Sequence, residues 1–482
     1  MRYLALCTDY DGTLATDGRV LPETLSALER LLASGRRLVL VTGRELDQLK
    51  EVCPRLDLFE YVVAENGALL YQPSTGKETP LATPPPASFV STLKQRGVGP
   101  ISVGRVIVAT WEPHETTVLA TIRDLGLELQ VIFNKGAVMI LPAGVTKASG
   151  LAYALAQMEI SPHNCVAVGD AENDHALLAS CECGVAVANA LPTLKSAADL
   201  VTAADHGAGV VELIDKLLTD DLAFLEPRLI RHHVLLGTDD RRAEVRIAPH
   251  GETVLLVGTS GSGKAELATG LMERLAARGY TFCVIDIAGR YERIGKAVAL
   301  GSPSRPPTAS EIVKLFQGAD KSGVVNLLGL KAEDRLPFLK EVAPQLTKLR
   351  LRLGRPHWTA IDDIAALLPI GDAATGVLPL GAGDSVLHIS TRPTRVAREV
   401  LRSTSLFIAV GASRYALLEE FCQVSGVSLP ATQLAPPSDG SALAWRPKIT
   451  GAKPFRLNIA PPQREPGSVN VPLTSAVESL SR

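Results

Sequence analysis

Tyr3-Leu4-Ala5-Leu6-Cys7-Thr8-Asp9-Tyr10-Asp11-Gly12-Thr13 is the stretch on which the reading of this 482-residue chain turns. The short apolar run from Tyr3 to Thr8 predicts a strand of a parallel sheet, buried on both faces. It delivers Asp9 and Asp11 to the strand's carboxyl end, where ligands sit in open α/β sheets. The two carboxylates lie two residues apart and project to the same side, and Gly12 lets the chain turn sharply behind them. Such a pair can divide labour, one carboxylate acting as nucleophile and the other carrying the leaving group's proton.

The pattern continues outward as strand, helix, strand. Pro22 to Ser34 predicts a helix, Ser34-Gly35 a turn, and Arg37 to Val41 a second strand ending in Thr42-Gly43-Arg44. A hydroxyl and backbone N–H groups at that strand end suit a phosphate oxygen. Further strands are predicted at Glu60 to Ala64 and Ala68 to Tyr71, around the turn-rich Glu65-Asn66-Gly67. A Pro/Thr-rich connection, Pro73 to Pro86, opens a different section. It predicts a helix at Ala87 to Arg96, a strand at Ile101 to Ala109, a helix at Glu115 to Leu125 and strands at Glu128 to Phe133 and Val138 to Leu141. This reads as a small α+β insert. The βα rhythm returns with the helix Lys147 to Met158 and the strands Cys165 to Val168 and Gly184 to Val187. Lys147 opens that helix with an ammonium able to offset charge on a transferring group. Gly169-Asp170-Ala171-Glu172-Asn173-Asp174 presents hard oxygen ligands for Mg²⁺.

Composition narrows the functional classes. Hydrophobic residues make up 46% and charged residues 21%, which is globular, and aromatics are only 4%, so the cores must be aliphatic. A net charge of −2 argues against nucleic acid and anionic membranes as partners. No apolar run reaches membrane-spanning length. The seven cysteines are scattered, with Cys181 and Cys183 the only close pair, and they read as small core hydrophobes in a reducing cytoplasm.

The ordered motifs resemble those of the haloacid dehalogenase superfamily, in the branch with an α+β cap between the second and third motifs. The resemblance spans residues 1 to about 216 and extends to Ala64-Glu65-Asn66-Gly67-Ala68, Gly184 to Ala190, Ala197-Ala198-Asp199 and His206 to Val210. It implies that Asp9 forms an aspartyl-phosphate while Asp11 protonates the leaving oxygen and then activates water. It also implies that Thr42 and Lys147 hold the phosphoryl group, with Gly43, Arg44, Asn66 and Asn173 about the phosphate or substrate. Asp9, Asp11 (through its carbonyl) and Asp170 would hold Mg²⁺, with Asp174 orienting the metal's water or Lys147. The cap resembles those of phosphoglycolate and sugar-phosphate phosphatases, which implies a small phosphorylated acid or sugar as substrate. Trp111-Glu112-Pro113-His114-Glu115 and Asn134-Lys135-Gly136 are the cap's candidates for leaving-group contacts.

A second constellation follows. Thr253 to Val257 predicts a buried strand, then comes Gly258-Thr259-Ser260-Gly261-Ser262-Gly263-Lys264-Ala265 and a helix from Glu266 to Arg278. Strand, glycine loop and helix are the setting of a phosphate-binding P-loop, with Lys264 reaching the terminal phosphates. Ala265 stands where a Ser or Thr hydroxyl would face Mg²⁺, and Asp362-Asp363 stands where an Asp–Glu pair is usual. Residues 230 to 430 resemble the HerA and FtsK ATPases, with Arg290 in an acidic place of that family. Weak or absent ATP binding and slow hydrolysis are therefore expected. Arg392, Arg395 and Arg398 would suit a homo-oligomer through this section, or a solvated helix face. The alternative is an active nucleic-acid translocase with an accessory phosphatase. The resulting division is α/β throughout: a doubly wound core at 1–72 and 143–216, a cap at 73–142, a linker at 217–249, a P-loop NTPase-like section at 250–428 and a Pro-rich, loosely packed tail at 429–482.

Overall fold

The computed structural model describes residues 1–291, 294–318, 320–368, 385–430 and 441–461. The chain divides into two compact units, the first comprising Met1–His233 with Phe316–Asp320 and Gln345–Pro356.

The first unit is built on β1 (Ala5–Thr8), β2 (Arg37–Val41), β3 (Tyr61–Ala64), β4 (Leu69–Gln72) and β5 (Lys77–Pro80). The insert then supplies β6 (Ser102–Val103), β7 (Val108–Trp111), β8 (Leu129–Asn134) and β9 (Ala137–Pro142), and the core resumes with β10 (Cys165–Gly169), β11 (Cys183–Ala186) and β12 (Leu200–Val201). The core sheet has the order β12-β11-β10-β1-β2-β3-β4-β5. Its strands from β12 to β3 run parallel, and β4 and β5 turn back antiparallel. Every residue of β1 and β10 is buried, as expected for aliphatic strands covered by helices on both faces. Helices Pro22–Ala33, Lys147–Gln157 and His206–Asp220 bury their apolar stripes against this sheet. The helix Lys147–Gln157 starts sharply because Thr146 and Ser149 form a reciprocal capping box.

The insert is a separate antiparallel sheet, β6-β7-β9-β8, with helices Ala87–Gln95 and Glu115–Asp124 packed on it around Phe89, Leu93 and Val118. The expected single strand at Ile101 to Ala109 is instead two strands with a loop between them. Backbone N–H groups of Arg105, Val106 and Ile107 donate to the Glu65 carboxylate instead of to a neighbouring strand. A Cβ on Gly104 would lie 2.6 Å from Glu65 Oε1, so this loop needs glycine there.

The second unit carries an eleven-stranded sheet among the described residues: β13 (Val234–Thr238), β14 (Glu244–Ile247), β15 (Thr253–Gly258), β16 (Phe282–Asp286), β17 (Val298–Leu300), β18 (Gly323–Asn326), β19 (Trp358–Ile361), β20 (Ser385–Ser390), β21 (Leu406–Val410), β22 (Ser441–Trp445) and β23 (Phe455–Ile459). The order is β14-β13-β23-β22-β21-β15-β20-β19-β16-β18-β17, and the run from β21 to β17 is parallel. Two expectations differ here. The stretch read as a linker holds the antiparallel pair β13–β14, and the stretch read as a loose tail holds β22 and β23, paired to β21 and to each other. Ala442, Leu443, Ala444 and Leu457 are buried, so these strands extend the core despite their Pro- and Ser-rich surroundings. The remainder of the expected tail, 431–440 and 462–482, lies outside the described residues.

Candidate active site

The carboxyl ends of β1, β2 and β10 converge, and each brings its motif with it. Asp9 follows β1 directly, and its backbone N–H donates to the Val168 carbonyl at 3.0 Å. Lys147, the first residue of its helix and 1% exposed, donates to Asp9 Oδ1 at 2.6 Å and to Asp174 Oδ1 at 2.7 Å. Burial pushes the Asp9 carboxyl up to about 8, against the opposing pull of Lys147, and the negative charges of Asp174 and Asp170 push the same way. Burial alone would push the Lys147 ammonium down, but Asp174 and Asp9 outweigh it and hold it above the ordinary lysine value.

Asp174 is fully buried and spends both oxygens within the protein. Oδ1 takes Lys147, and Oδ2 accepts the backbone N–H groups of Asp170 and Ala171, each at 3.0 Å. Gly169 is required beside it, because a Cβ there would fall 2.6 Å from the Asp174 carboxyl carbon. Asp170 takes Thr13 Oγ1 on one oxygen at 3.1 Å and Lys135 Nζ on the other at 2.8 Å. Carboxylate oxygens of Asp9, Asp170 and Asp174 all lie within 4.8 Å of one another. Three carboxylates clustered in a desolvated place, paired here with the Lys147 and Lys135 ammoniums, offer the hard oxygen donors that fit a divalent cation such as Mg²⁺.

Asp11 stands at the rim, one-third exposed. Arg44 grips it with two parallel bonds, Nε to Oδ2 and Nη2 to Oδ1, both 2.6 Å. Thr42 is fully buried, and its Oγ1 accepts the Arg44 backbone N–H at 3.1 Å. Asn173 Nδ2 donates to Asn66 Oδ1 at 2.9 Å, so these two candidates form one pair. Above them lies a cavity of about 580 Å³ that Asp9, Asp11, Gly43 and Arg44 share with cap residues including Asn134, Lys135 and Trp111. Thr42, Asn66 and Asn173 are not among the residues that line it. Of the cap's polar cluster, Trp111 reaches the cavity, whereas Glu112, His114 and Glu115 are outside its lining, and His114 Nε2 lies 3.0 Å from the Gly99 carbonyl instead.

Three contacts lie beyond what the sequence discloses. Glu65 fastens the cap loop, Asn189 Nδ2 donates to the Gly12 carbonyl at 2.7 Å, and Lys135 reaches Asp170 and the Asp11 carbonyl. Their partners are main-chain atoms or residues more than 30 positions away, and no local pattern announces them.

The family model for haloacid dehalogenase-like hydrolases matches residues 6–104 and 118–214. The chain is 30% identical over 227 residues to phosphoglycolate phosphatase 2 of Saccharolobus solfataricus, covering 45% of this chain and 93% of that one. The chain belongs to the haloacid dehalogenase-like hydrolases. It is also 31% identical over 223 residues to phosphoglycolate phosphatase of Natronomonas pharaonis, covering 44% of this chain and 96% of the relative. Among solved structures, a haloacid dehalogenase-like hydrolase from Bacteroides thetaiotaomicron aligns with a TM-score of 0.40 at 18% identity, over 45% of this chain and 99% of that one.

In the second unit, β15 ends at Gly258, and Gly261 and Gly263 adopt left-handed φ values of 76° and 93° ahead of the helix Lys264–Ala277. Lys264 Nζ turns back onto the loop, donating to the Gly258 and Thr259 carbonyls at 2.6 and 2.8 Å. Asp362 follows β19 and is buried, which pushes its carboxyl up to about 6. Asp286, at the end of β16, accepts the backbone N–H groups of Ala288, Gly289 and Tyr291. No helix among the described residues is long and apolar enough to cross a membrane.

Proposed function

We propose that the amino-terminal half hydrolyses a small phosphorylated acid or sugar through a phosphoryl-aspartate on Asp9. The observation that carries the reading is the buried Lys147 ammonium bridging Asp9, which lines the cavity, to the buried Asp174 behind it in the hydrogen-bond chain. It orients the Asp9 carboxylate and supplies positive charge where a phosphoryl group would arrive, with no reorganisation needed at the moment of reaction. Asp9 Oδ attacks phosphorus, the P–O bond to the leaving group breaks, and Asp11 gives that oxygen its proton. Asp11 then takes a proton from water, which attacks phosphorus and restores the Asp9 carboxylate.

Asp9, Asp170 and the Asp11 carbonyl are the groups that would hold Mg²⁺, which haloacid dehalogenase-like phosphatases typically use. When bound, that ion neutralises charge on the phosphoryl oxygens. Asp174, with both oxygens engaged, serves as the brace for Lys147 and for the backbone at Asp170. Arg44 holds both Asp11 oxygens at the cavity rim and must release one of them for Asp11 to carry a proton, and Thr42 sets the backbone from which Gly43 and Arg44 project. The names of the similar archaeal proteins favour a phosphorylated acid, and a cavity of about 580 Å³ accommodates a molecule of that size or a sugar. A panel of small phosphomonoesters assayed with Mg²⁺ tests the proposal. Release of phosphate by the wild type and none by Asp9→Asn is expected, and equal release by both would reject it.

For the second unit we propose a nucleotide-phosphate site at Gly258, Gly261, Gly263 and Lys264, of low hydrolytic capacity. Its support is the parallel order β21-β15-β20-β19-β16, which puts the glycine loop, Asp286 and Asp362 on the carboxyl-end side of the sheet. Ala265 offers no hydroxyl to a metal, so ATP turnover at ordinary motor rates would refute the low capacity.

A further inference from the structure

The turn between β8 and β9 contains two residues. Asn134 pairs with Ala137, leaving Lys135 and Gly136 at the tip with φ of +49° and +84°. Hairpin tips of this kind favour Asn or Asp followed by Gly, because a left-handed φ strains most side chains. Lysine has no short polar group with which to offset that strain locally, so its presence at the first position calls for an explanation in what its side chain reaches. Lys135 Nζ donates to Asp170 Oδ2 at 2.8 Å and to the Asp11 carbonyl at 3.1 Å. Asp170 is 4% exposed, whereas the lysine side chain is half-exposed, so a solvent-accessible cation from the cap meets a buried carboxylate of the core. Gly12 leaves the space for it, since a Cβ there would lie 2.4 Å from Asp170 Oδ2 and 2.6 Å from Lys135 Nζ.

We infer that Lys135 is a built-in competitor of the divalent cation, tying the cap hairpin to the core until that cation displaces it. The inference rests on the metal assignment in the phosphatase reading: Asp170 and the Asp11 carbonyl are two of the groups assigned there to Mg²⁺. Two cations cannot share those oxygens, because their mutual repulsion in a partly desolvated site is strong at such separations. The metal-free protein therefore keeps the cap tip down, and cation binding frees both the hairpin and the ammonium. Lys135 already lines the cavity beside Arg44, so the released ammonium stays where the leaving group would lie.

The test is calorimetric titration of the full-length protein with Mg²⁺ and no substrate, comparing wild type, Lys135→Met, Lys135→Arg and Asp170→Asn. Removing a half-exposed competitor is expected to tighten Mg²⁺ binding roughly three- to tenfold in Lys135→Met. Lys135→Arg, which keeps the charge, should stay close to wild type. Amide exchange at 134–137 should quicken on adding Mg²⁺ in the wild type and be indifferent to it in Lys135→Met. Binding that depends on Asp170 but is unchanged or weakened in Lys135→Met overturns the competitor and leaves the phosphatase reading standing. Mg²⁺ binding insensitive to Asp170→Asn, or none at all, overturns the metal assignment and the competitor with it.

Discussion

Glu65 offers the most quantitative test of how the cap is held. Its carboxylate is fully buried and accepts three backbone N–H groups, from Arg105 at 2.7 Å, Val106 at 2.7 Å and Ile107 at 2.9 Å. Hydrogen bonds to a charged group contribute about 1.5–3 kcal/mol each, and a buried donor left without an acceptor costs as much. Val106 and Ile107 are buried, whereas the Arg105 amide is partly open to water that can replace its partner. Counting only the two buried bonds, Glu65→Ala should lower the local stability of this loop by about 3–6 kcal/mol. Glu65→Gln keeps one carbonyl oxygen for Val106 and Ile107 but turns an NH₂ toward a donor or away from it, at a cost of about 1–3 kcal/mol. A two-unit chain need not unfold in one step, so the appropriate assay is native-state amide exchange at Arg105, Val106 and Ile107. Exchange at Val106 and Ile107 should quicken by at least about a hundredfold in Glu65→Ala, and by less in Glu65→Gln. Rates within about threefold of wild type in both variants would refute the claim that this carboxylate fastens the loop.

Other expectations follow from the site itself. Lys147→Met removes the ammonium between Asp9 and Asp174 and should lower kcat by about 10²–10³, measured on the best phosphomonoester of the panel; a change below about tenfold would contradict its assigned place. Arg44→Met frees the Asp11 carboxylate and should lower kcat/KM by about ten- to a hundredfold, with Mg²⁺ affinity by calorimetry unchanged. If the proposed nucleotide-phosphate site of the second unit holds, Ala265→Ser, which adds a hydroxyl beside Lys264, should raise ATP turnover above wild type, and Lys264→Ala should abolish nucleotide binding by calorimetry.

The grouping of the candidate site residues is legible in the sequence because each of them borders a strongly patterned element. Asp9 follows β1, Asp170 follows β10, and Lys147 opens a capped helix, so pattern and chemistry coincide at each position. The partners of Glu65 and of Lys135, the latter already a cap candidate in the sequence, are hidden for the opposite reason: each lies far away in the chain, and those of Glu65 are main-chain groups that carry no sequence signal. The strand pattern fails for a third reason at Ser441–Trp445 and Phe455–Ile459. Each is five residues long, too short for a period of two to stand out among prolines and serines, and pairing with β21 supplies what local propensity lacks. The half-buried pair β13–β14 is masked in the same way by Asp239 to Arg242 at its turn.

The central claim is that Asp9 becomes covalently phosphorylated. Acid quench within one turnover on a phosphomonoester carrying radiolabelled phosphoryl, followed by peptide mapping, measures this directly. The label is expected on the peptide containing Asp9, released by hydroxylamine as an acyl phosphate is, and absent from Asp9→Asn. Turnover with no label on the protein at any quench time, or undiminished label in Asp9→Asn, would contradict the account.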